Sequence, residues 1–562
     1  MTRFDYHKYQ PYRPAITLDR TWPDCRIEHA PDWCSVDLRD GNQALVHPMS
    51  VNQKVELFQL LVEIGFKEIE IGFPSASQTE LEFTRRLIDE GLIPDDVTVQ
   101  VLTQARKELI DRTFDALAGV RRAVVHVYNS TSTVQREQVF RATRDEIIQI
   151  AVNGARWLEE GARKHPGAEW TFEYSPESFT GTEVDYAVEV CNAVIDVWQP
   201  AKGRSVIINL PATVEMTTPN VFADQVEYFC RHVKDREHIR VSLHTHNDRG
   251  CAVAASELGL LAGADRIEGT LFGNGERTGN MDIMTMAMNM YSQGVDPELD
   301  FSDIAHVIEV YERCTSMPVH PRHPWAGDLV YAAFSGSHQD AIRKSTAFHQ
   351  QHGLEHWNVA YLPIDPRDLG RRYEEVVRIN SQSGKGGVAH VLERDRGVSL
   401  PKWMLPAVSQ VVQKQAEEAG QEVSSRTVWS LFETNFLSVP DGWQLAGYDL
   451  SSKANNETRA QFRIMHDGVK QALDGSGQGL IEALVDAVSR YFHVKVAVVD
   501  FDEHAMTPGT EAKALASIML DVDGEKVAAC CIDEDSTRAT LQATLSALGR
   551  SVAVATRLRK AV

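Results

Sequence analysis

His244-Thr245-His246 ends a short β-branched stretch, and residues at i and i+2 of a strand share a face, so both imidazoles reach one point. By itself that spacing fits either a divalent-metal site or two ordinary polar histidines. Asp40 ends another such stretch, within Asp37-Leu38-Arg39-Asp40-Gly41-Asn42-Gln43, and adds a carboxylate; Asn280 adds an amide oxygen. The four side chains form a nitrogen and oxygen donor set for Mg²⁺, with Mn²⁺ or Zn²⁺ as alternatives, that leaves positions open for a substrate. Arg39 precedes Asp40 and therefore points to the other side of the strand. A guanidinium there either makes a salt bridge at a rim or stabilises negative charge growing on a substrate oxygen. Glu177, in Ser175-Pro176-Glu177-Ser178, is a solvated acid or an acid/base group at a site mouth. His126 lies inside an apolar stretch, as a packed core histidine or a substrate contact. The loop Gly273-Asn274-Gly275-Glu276-Arg277-Thr278-Gly279-Asn280 has GxGxxxG spacing and follows a strand late in the order, which argues against a dinucleotide fingerprint and for a tight turn close to a ligand.

These residues need elements to position them. Eight apolar, β-branched stretches occur in the first half of the chain: Cys34–Leu38, Glu68–Gly72, Val97–Leu102, Ala123–Val127, Trp170–Tyr174, Val206–Leu210, Val241–His244 and Arg266–Leu271. Segments with helical periodicity alternate with them, from Gln53–Ile64 to Ala252–Ala262. Eight strand–helix units in this length predict a (β/α)8 TIM barrel, where an open doubly wound sheet seldom needs so many. Polar or Gly/Pro-rich text follows every strand, and in a barrel those loops converge on one face. There the first and seventh strands are close enough for Asp40 to meet the two histidines.

The barrel with an N-terminal extension is assigned to residues 1–327. A mixed helical linker region, with the cluster Ser383-Gly384-Lys385-Gly386-Gly387, is assigned to 328–440, and a C-terminal α+β module to 441–562. In that module the polar residues 451–458 read as a loop. Strands are expected at Phe462–Met465, Val494–Phe501, Ala516–Val522 and Lys526–Cys531, and helices at Gly479–Tyr491 and Thr537–Leu548.

The composition narrows the class. Hydrophobic residues at 43% and charged residues at 24% match a globular enzyme, and no apolar run approaches the roughly 18 residues that a membrane span needs. Met1 to Trp22 contains no apolar signal region, and the eight cysteines show no CxxC pairing, so reduced thiols in the cytoplasm are expected. The formal charge of −22 argues against nucleic acid or an anionic membrane as partner, and leaves small molecules.

Seven motifs in order carry a resemblance: Asp37–Gln43, Gly-Phe-Pro-Ser-Ala-Ser-Gln-Thr (72–79), His-Thr-His-Asn-Asp-Arg-Gly (244–250), residues 273–280, Phe-Ser-Gly-Ser-His-Gln-Asp-Ala (334–341), Tyr-Leu-Pro-Ile-Asp-Pro (361–366) and Asn-Ser-Gln-Ser-Gly-Lys-Gly-Gly (380–387). Over about 19–437, and more loosely beyond, the chain resembles the 2-isopropylmalate synthases, which share a family with homocitrate and citramalate synthases. The resemblance implies a metal-dependent Claisen condensation of acetyl-CoA with 3-methyl-2-oxobutanoate, followed by thioester hydrolysis, at the first committed step of leucine biosynthesis.

It further implies that Asp40, His244, His246 and Asn280 surround the metal, that Arg39 and Thr213 contact the 2-oxo acid, and that Glu177 works beside the reacting centre. By the same likeness His338 and Tyr361 are catalytic residues delivered into the neighbouring subunit's barrel, which makes a homodimer. Citramalate and homocitrate synthases remain alternatives, as does an acyl-CoA lyase, which would lack the regions after about 330. The last module occupies the place of a leucine-binding regulatory domain. Within it, Asp474-Gly475-Ser476-Gly477-Gln478-Gly479 is expected to open a helix whose first amides hold a carboxylate. One departure, Ala529-Cys530-Cys531-Ile532-Asp533 in place of a Gly-rich strand end, is expected to narrow or reshape that pocket and weaken leucine inhibition.

Overall fold

In the computed structural model all eight expected strands are present and close into a barrel, β1 through β8 in chain order with β1 pairing in parallel with β8. The structure describes residues 19–333, 335–371, 385–419, 423, 425–440, 443–454, 457–466, 468–506 and 512–551. The strands are β1 (Asp32–Ser35), β2 (Glu68–Gly72), β3 (Thr98–Gln104), β4 (Arg122–Ser130), β5 (Glu169–Glu177), β6 (Val206–Ala212), β7 (Ile239–Thr245) and β8 (Arg266–Gly269). Between and after them run α1 (Val51–Ile64), α2 (Gln78–Asp89), α3 (Lys107–Ala116), α4 (Arg144–Lys164), α5 (Val184–Trp198), α6 (Pro219–His232), α7 (Ala252–Leu261), α8 (Ile283–Tyr291) and α9 (Ile304–Thr315). Local signals set the helix ends. Ser50 and Gln53 cap α1 reciprocally, as Thr143 and Glu146 cap α4, and Gly65 closes α1 at φ 116°.

β1 is shorter than expected, and this matters for the site. It stops at Ser35 because Asp37–Gly41 winds into a wide turn, with the amides of Asp40 and Gly41 both bonded to the Val36 carbonyl at 2.9 and 3.1 Å. Residues 39 and 40 are therefore not strand neighbours on opposite faces. The expected divergence of Arg39 from Asp40 is corrected: their side chains form an ion pair.

The barrel wall is apolar on the side that faces the helices and polar inside. In β2, Ile69 and Ile71 are buried outward while Glu68 and Glu70 point in. Gln100, His126, Glu173, Asn209, Ser242, His244, Arg266 and Glu268 continue that inner layer, all buried. Arg266 holds it together, bonding Gln100 and Glu268 at 2.7 Å each, Glu68 at 2.6 Å and Ser242 at 2.9 Å.

The chain divides into two compact units, the first running up to Val330 with Arg367–Arg371, the second comprising Tyr331–Pro366 and the residues from Arg372 on. The second unit holds α10 (Gly336–His352), α11 (Lys385–Arg396), α12 (Leu405–Ala419) and α13 (Ser425–Phe432). Two strand–strand–strand–helix repeats follow: β9 (Gln444–Ala454), β10 (Glu457–His466), β11 (Val469–Gly477) and α14 (Leu480–Phe492), then β12 (Val496–Ala505), β13 (Ala514–Val522), β14 (Glu525–Asp533) and α15 (Ser536–Arg550). Most of residues 451–458 are strand rather than loop. β9 and β10 pair through Lys453↔Thr458 and Ala454↔Glu457, because ladder hydrogen bonds are indifferent to side-chain polarity; residues 455–456 lie outside the described set. Asp474–Gly477 likewise ends β11 rather than opening the helix. Its glycines serve packing: a Cβ on Gly475 would lie 1.9 Å from the Ala483 carbonyl of α14. Ser383 and Gly384 of the glycine cluster lie outside the described residues, while Lys385 to Gly387 open α11.

Candidate functional site

The loops after the strands enclose a cavity of about 290 Å³ at the barrel mouth, lined by Arg39, Asp40, His126, Glu177, Thr213, His244 and His246 among others. Its floor is the polar layer. Glu268 sits fully buried between Arg266, Gln100, Asn209 and His244, accepting from His244 Nδ1 at 2.7 Å. Burial opposes its charge, but Arg266 and His244 hold it well below the usual carboxylate range, while burial and the neighbouring Glu268 push Glu173 well above it. Because a carboxylate only accepts, His244 carries its proton on Nδ1, and its Nε2 is aimed at the mouth.

Asp40, His244 and His246 offer ligand atoms that all lie within 4.8 Å of one another. Asp40 Oδ2 is buried without a hydrogen-bond partner and faces His244 Nε2 at 3.5 Å and His246 Nε2 at 3.7 Å. Asn280 Oδ1 lies 3.0 Å from His244 Nε2 and its amide nitrogen is fixed by the Asn274 carbonyl. Atoms about 2.1 Å from one cation in tetrahedral or octahedral geometry stand roughly 3.0–3.5 Å apart, so the separations of 3.0 and 3.5 Å match a divalent ion and that of 3.7 Å is slightly wider. Electrostatics agree. Burial would lower the His244 pKa, yet Asp40 and Glu268 raise it to about 10, a sign of excess negative potential at the ring. Burial, the charge of His244 and Arg277 bring His246 down to about 4 against the pull of Asp40.

Arg39 reaches the same place from the turn after β1, with Nε on Glu70 and Nη1 on Asp40. Pinned at both ends, its guanidinium forms part of the cavity wall. Asp37 anchors this turn to the end of β8, both carboxylate oxygens accepting the Leu271 amide at 3.1 Å and one taking the Ser35 hydroxyl. Burial raises its pKa to about 7 despite those bonds. Glu177 accepts from Ser130 Oγ, and the Thr213 hydroxyl accepts the Ser178 amide at 2.9 Å. His126 lies on the floor with Nε2 2.7 Å from Ser175 Oγ and Nδ1 3.4 Å from Glu70. The loop 273–280 is tight as expected: Gly279, at φ 101°, would place a Cβ 1.9 Å from the Gly273 carbonyl.

His338 and Tyr361 belong to the second unit, where their rings stack 4.0 Å apart. Tyr361 is 59% exposed and held at φ 64°, a left-handed conformation costly for a tyrosine. The same unit has a cavity of about 410 Å³ where the starts of α14 and α15 meet β12, lined by Gln478 to Glu482, Phe501, Glu503, Thr537, Thr540 and Leu541. None of Ala529 to Cys531 lines it. Ala529 and Cys530 are fully buried in the hydrophobic cores.

Sequence reasoning missed Glu70, Glu268 and Arg277. The first two left a signal, since Glu68-Ile69-Glu70-Ile71 and Arg266-Ile267-Glu268 alternate charge with isoleucine, which marks strands with one charged face.

The family described as HMGL-like matches residues 30–310, the post-catalytic domain of alpha-isopropylmalate synthase matches 328–393, and the LeuA allosteric (dimerisation) domain matches 422–552. A 2-isopropylmalate synthase of Alcanivorax borkumensis is 55% identical over 548 residues, 97% of this chain and 98% of the relative. Relatives of the same name from Clostridium acetobutylicum and Rhodospirillum rubrum are 52% and 53% identical, over 97% and 96% of this chain and 99% and 98% of their own lengths.

Proposed function

The chain belongs to the 2-isopropylmalate synthase family, and from that premise we propose how its side chains divide the reaction. It is an acyltransferase of leucine biosynthesis that joins the acetyl methyl of acetyl-CoA to the ketone of 3-methyl-2-oxobutanoate and then hydrolyses the thioester. The observation that carries the assignment of the site is Asp40 Oδ2, buried, unpartnered and flanked by two imidazoles. Asp40, His244, His246 and Asn280 hold a divalent cation, Mg²⁺ first. When bound, the cation polarises the ketone of the 2-oxo acid.

Arg39 and Thr213 bind and orient the 2-oxo acid, with His126 on the floor below it. Arg39 also stabilises the oxygen charge that grows as the new carbon–carbon bond forms. His338, supported by Tyr361, takes the proton from the acetyl methyl, an imidazole nitrogen being a frequent general base. Glu177 accepts a proton from the water that attacks the thioester, which releases CoA. The barrel (1–327), the linker region (328–440) and the C-terminal domain (441–562) are the functional divisions. His338 and Tyr361 complete the barrel site of a second copy in a homodimer. Among the described residues no helix is long and apolar enough to cross a membrane, and all eight cysteines are free thiols, which supports a cytoplasmic enzyme.

Incubating the protein with acetyl-CoA, Mg²⁺ and a panel of 2-oxo acids, with free thiol as readout, tests the reading. Thiol release is expected to be fastest with 3-methyl-2-oxobutanoate, and a clear preference for pyruvate or 2-oxoglutarate would instead indicate a citramalate or homocitrate synthase.

Metal binding should release a proton. His244 is protonated below about pH 10 in the metal-free protein, so a cation must displace its Nε2 proton and affinity must fall as pH falls. Calorimetry in buffers of different ionisation enthalpy is expected to give about one proton per ion near neutrality. Zero protons would mean that His244 is neutral before the ion binds or that it lies outside the ligand set.

Leucine is the proposed effector, bound in the cavity where α14 and α15 begin, with helix-start amides on its carboxylate. Gly479 offers a clean test, since it is extended at φ −149° and a Cβ there meets nothing within 4 Å. Gly479→Phe should fill the cavity and raise the half-inhibiting leucine concentration by about tenfold or more. An unchanged inhibition curve would move leucine elsewhere.

A further inference from the structure

The two histidines of the mouth are not equivalent. His244 Nδ1 meets a carboxylate, Glu268, at 2.7 Å, which fixes a proton on Nδ1 and makes Nε2 the nitrogen that faces the ion once its own proton is lost. His246 Nδ1 instead meets the Nη2 of Arg277 at 2.9 Å. A guanidinium can only donate, so His246 Nδ1 is the acceptor and the ring's proton sits on Nε2, toward Asp40. A cation held by Nε2 needs the opposite tautomer, with the proton on Nδ1. The contact with Arg277 and ligation through Nε2 therefore exclude each other at this ring.

We propose that Arg277 is a positioning residue that competes with the divalent cation for His246, so that seating the ion and shifting Arg277 are one coupled event. This rests on the reading of Asp40, His244 and His246 as ligands.

The surroundings are built for such an exchange. Arg277 stands in a left-handed conformation at φ 57° in the loop after β8, held by its Nε on Asp248 Oδ1 at 2.6 Å. Its Nη2 has three acceptors in reach: the Thr213 carbonyl at 2.5 Å, His246 Nδ1 at 2.9 Å and Asp248 Oδ2 at 3.2 Å. Two hydrogens serve three acceptors, so leaving His246 deprives Nη2 of nothing. The proton that moves to His246 Nδ1 then needs an acceptor, and the Thr213 carbonyl and Asp248 carboxylate already lie around the same guanidinium. No bond to carbon changes; one ring proton moves from Nε2 to Nδ1. Asp248 also accepts the Glu215 amide at 2.9 Å, which ties the exchange to the loops after β6 and β7. Coupling of this kind is reciprocal, so a substrate that draws Arg277 away from His246 tightens the ion.

Mn²⁺ binding to the full-length protein, followed by the paramagnetic signal of free Mn²⁺ without substrate, tests it in three variants. Arg277→Gln removes the competing cation and leaves Asp248 free to accept from His246, so Mn²⁺ should bind about fivefold to tenfold more tightly than to wild type. A merely structural role for Arg277 would weaken binding or leave it alone, and either result overturns the proposal provided that Asp40→Ala loses Mn²⁺. Asp248→Ala, which takes away the acceptor, should weaken binding, and unchanged binding there overturns the exchange with Asp248. Asp40→Ala with wild-type affinity would overturn the ligand set itself, a separate failure.

Discussion

Asp40→Ala is expected to abolish specific divalent-metal binding and to lower kcat/KM by about 10³ or more, with the fold retained. The size follows from what the carboxylate does. It contributes the buried oxygen between the two imidazoles and one of the two anchors of Arg39, so its loss removes a proposed ligand and loosens the guanidinium proposed to stabilise the developing oxygen charge. Retention of the fold follows from the electrostatics. Asp40 helps to hold His244 protonated, and without it the ring can become neutral and still donate to Glu268. His246→Ala should behave in the same way. Metal affinity, activity at limiting Mg²⁺ and the thermal midpoint should be measured on one preparation. Activity within about tenfold of wild type at limiting metal would exclude Asp40 as a ligand.

The second large effect is a recovery. His338→Ala and Asp40→Ala should each be nearly inactive alone, yet mixing the two after subunit exchange should restore roughly a quarter of wild-type activity. Random reassortment makes half of the dimers hybrid, and a hybrid holds one intact barrel mouth served by one intact His338. If His338 served its own chain's barrel, every site in the hybrid would lack one of the two residues. No recovery after exchange has been verified would therefore place His338 in its own chain's site or outside catalysis. The strain at Tyr361, stacked on His338, makes this pair worth the experiment, because an exposed tyrosine has little packing reason to hold a left-handed backbone.

The barrel was legible because its outward face is what sequence patterns report. Ile69 and Ile71, or Val99 and Val101, are apolar positions pressed against helices, and each strand stretch announces itself by them. The second unit was less legible. β9 and β11 passed unnoticed because polar and glycine-rich text reads as loop, whereas backbone pairing and the close approach of α14 at Gly475 give those residues their place.

Of the site, the sequence by itself determined the donor types and their order along the chain: the carboxylate of Asp40, the imidazoles of His244 and His246 on one strand face, and the amide of Asn280. Period-two alternation and strand count are local properties, so they survive without coordinates. Only the tertiary structure decided what those groups face. Strand alternation sent Arg39 away from Asp40, and the turn at Asp37–Gly41 brings it back, because β1 ends at Ser35. Glu70, Glu268 and Arg277 come from β2, β8 and the loop beyond, up to 168 residues from a partner, and only the packing of the strands into the barrel brings them within hydrogen-bond distance. Tautomer, charge state and metal affinity depend on those long-range neighbours, which is why the candidate donors could be named from the sequence while their electrostatic setting could not.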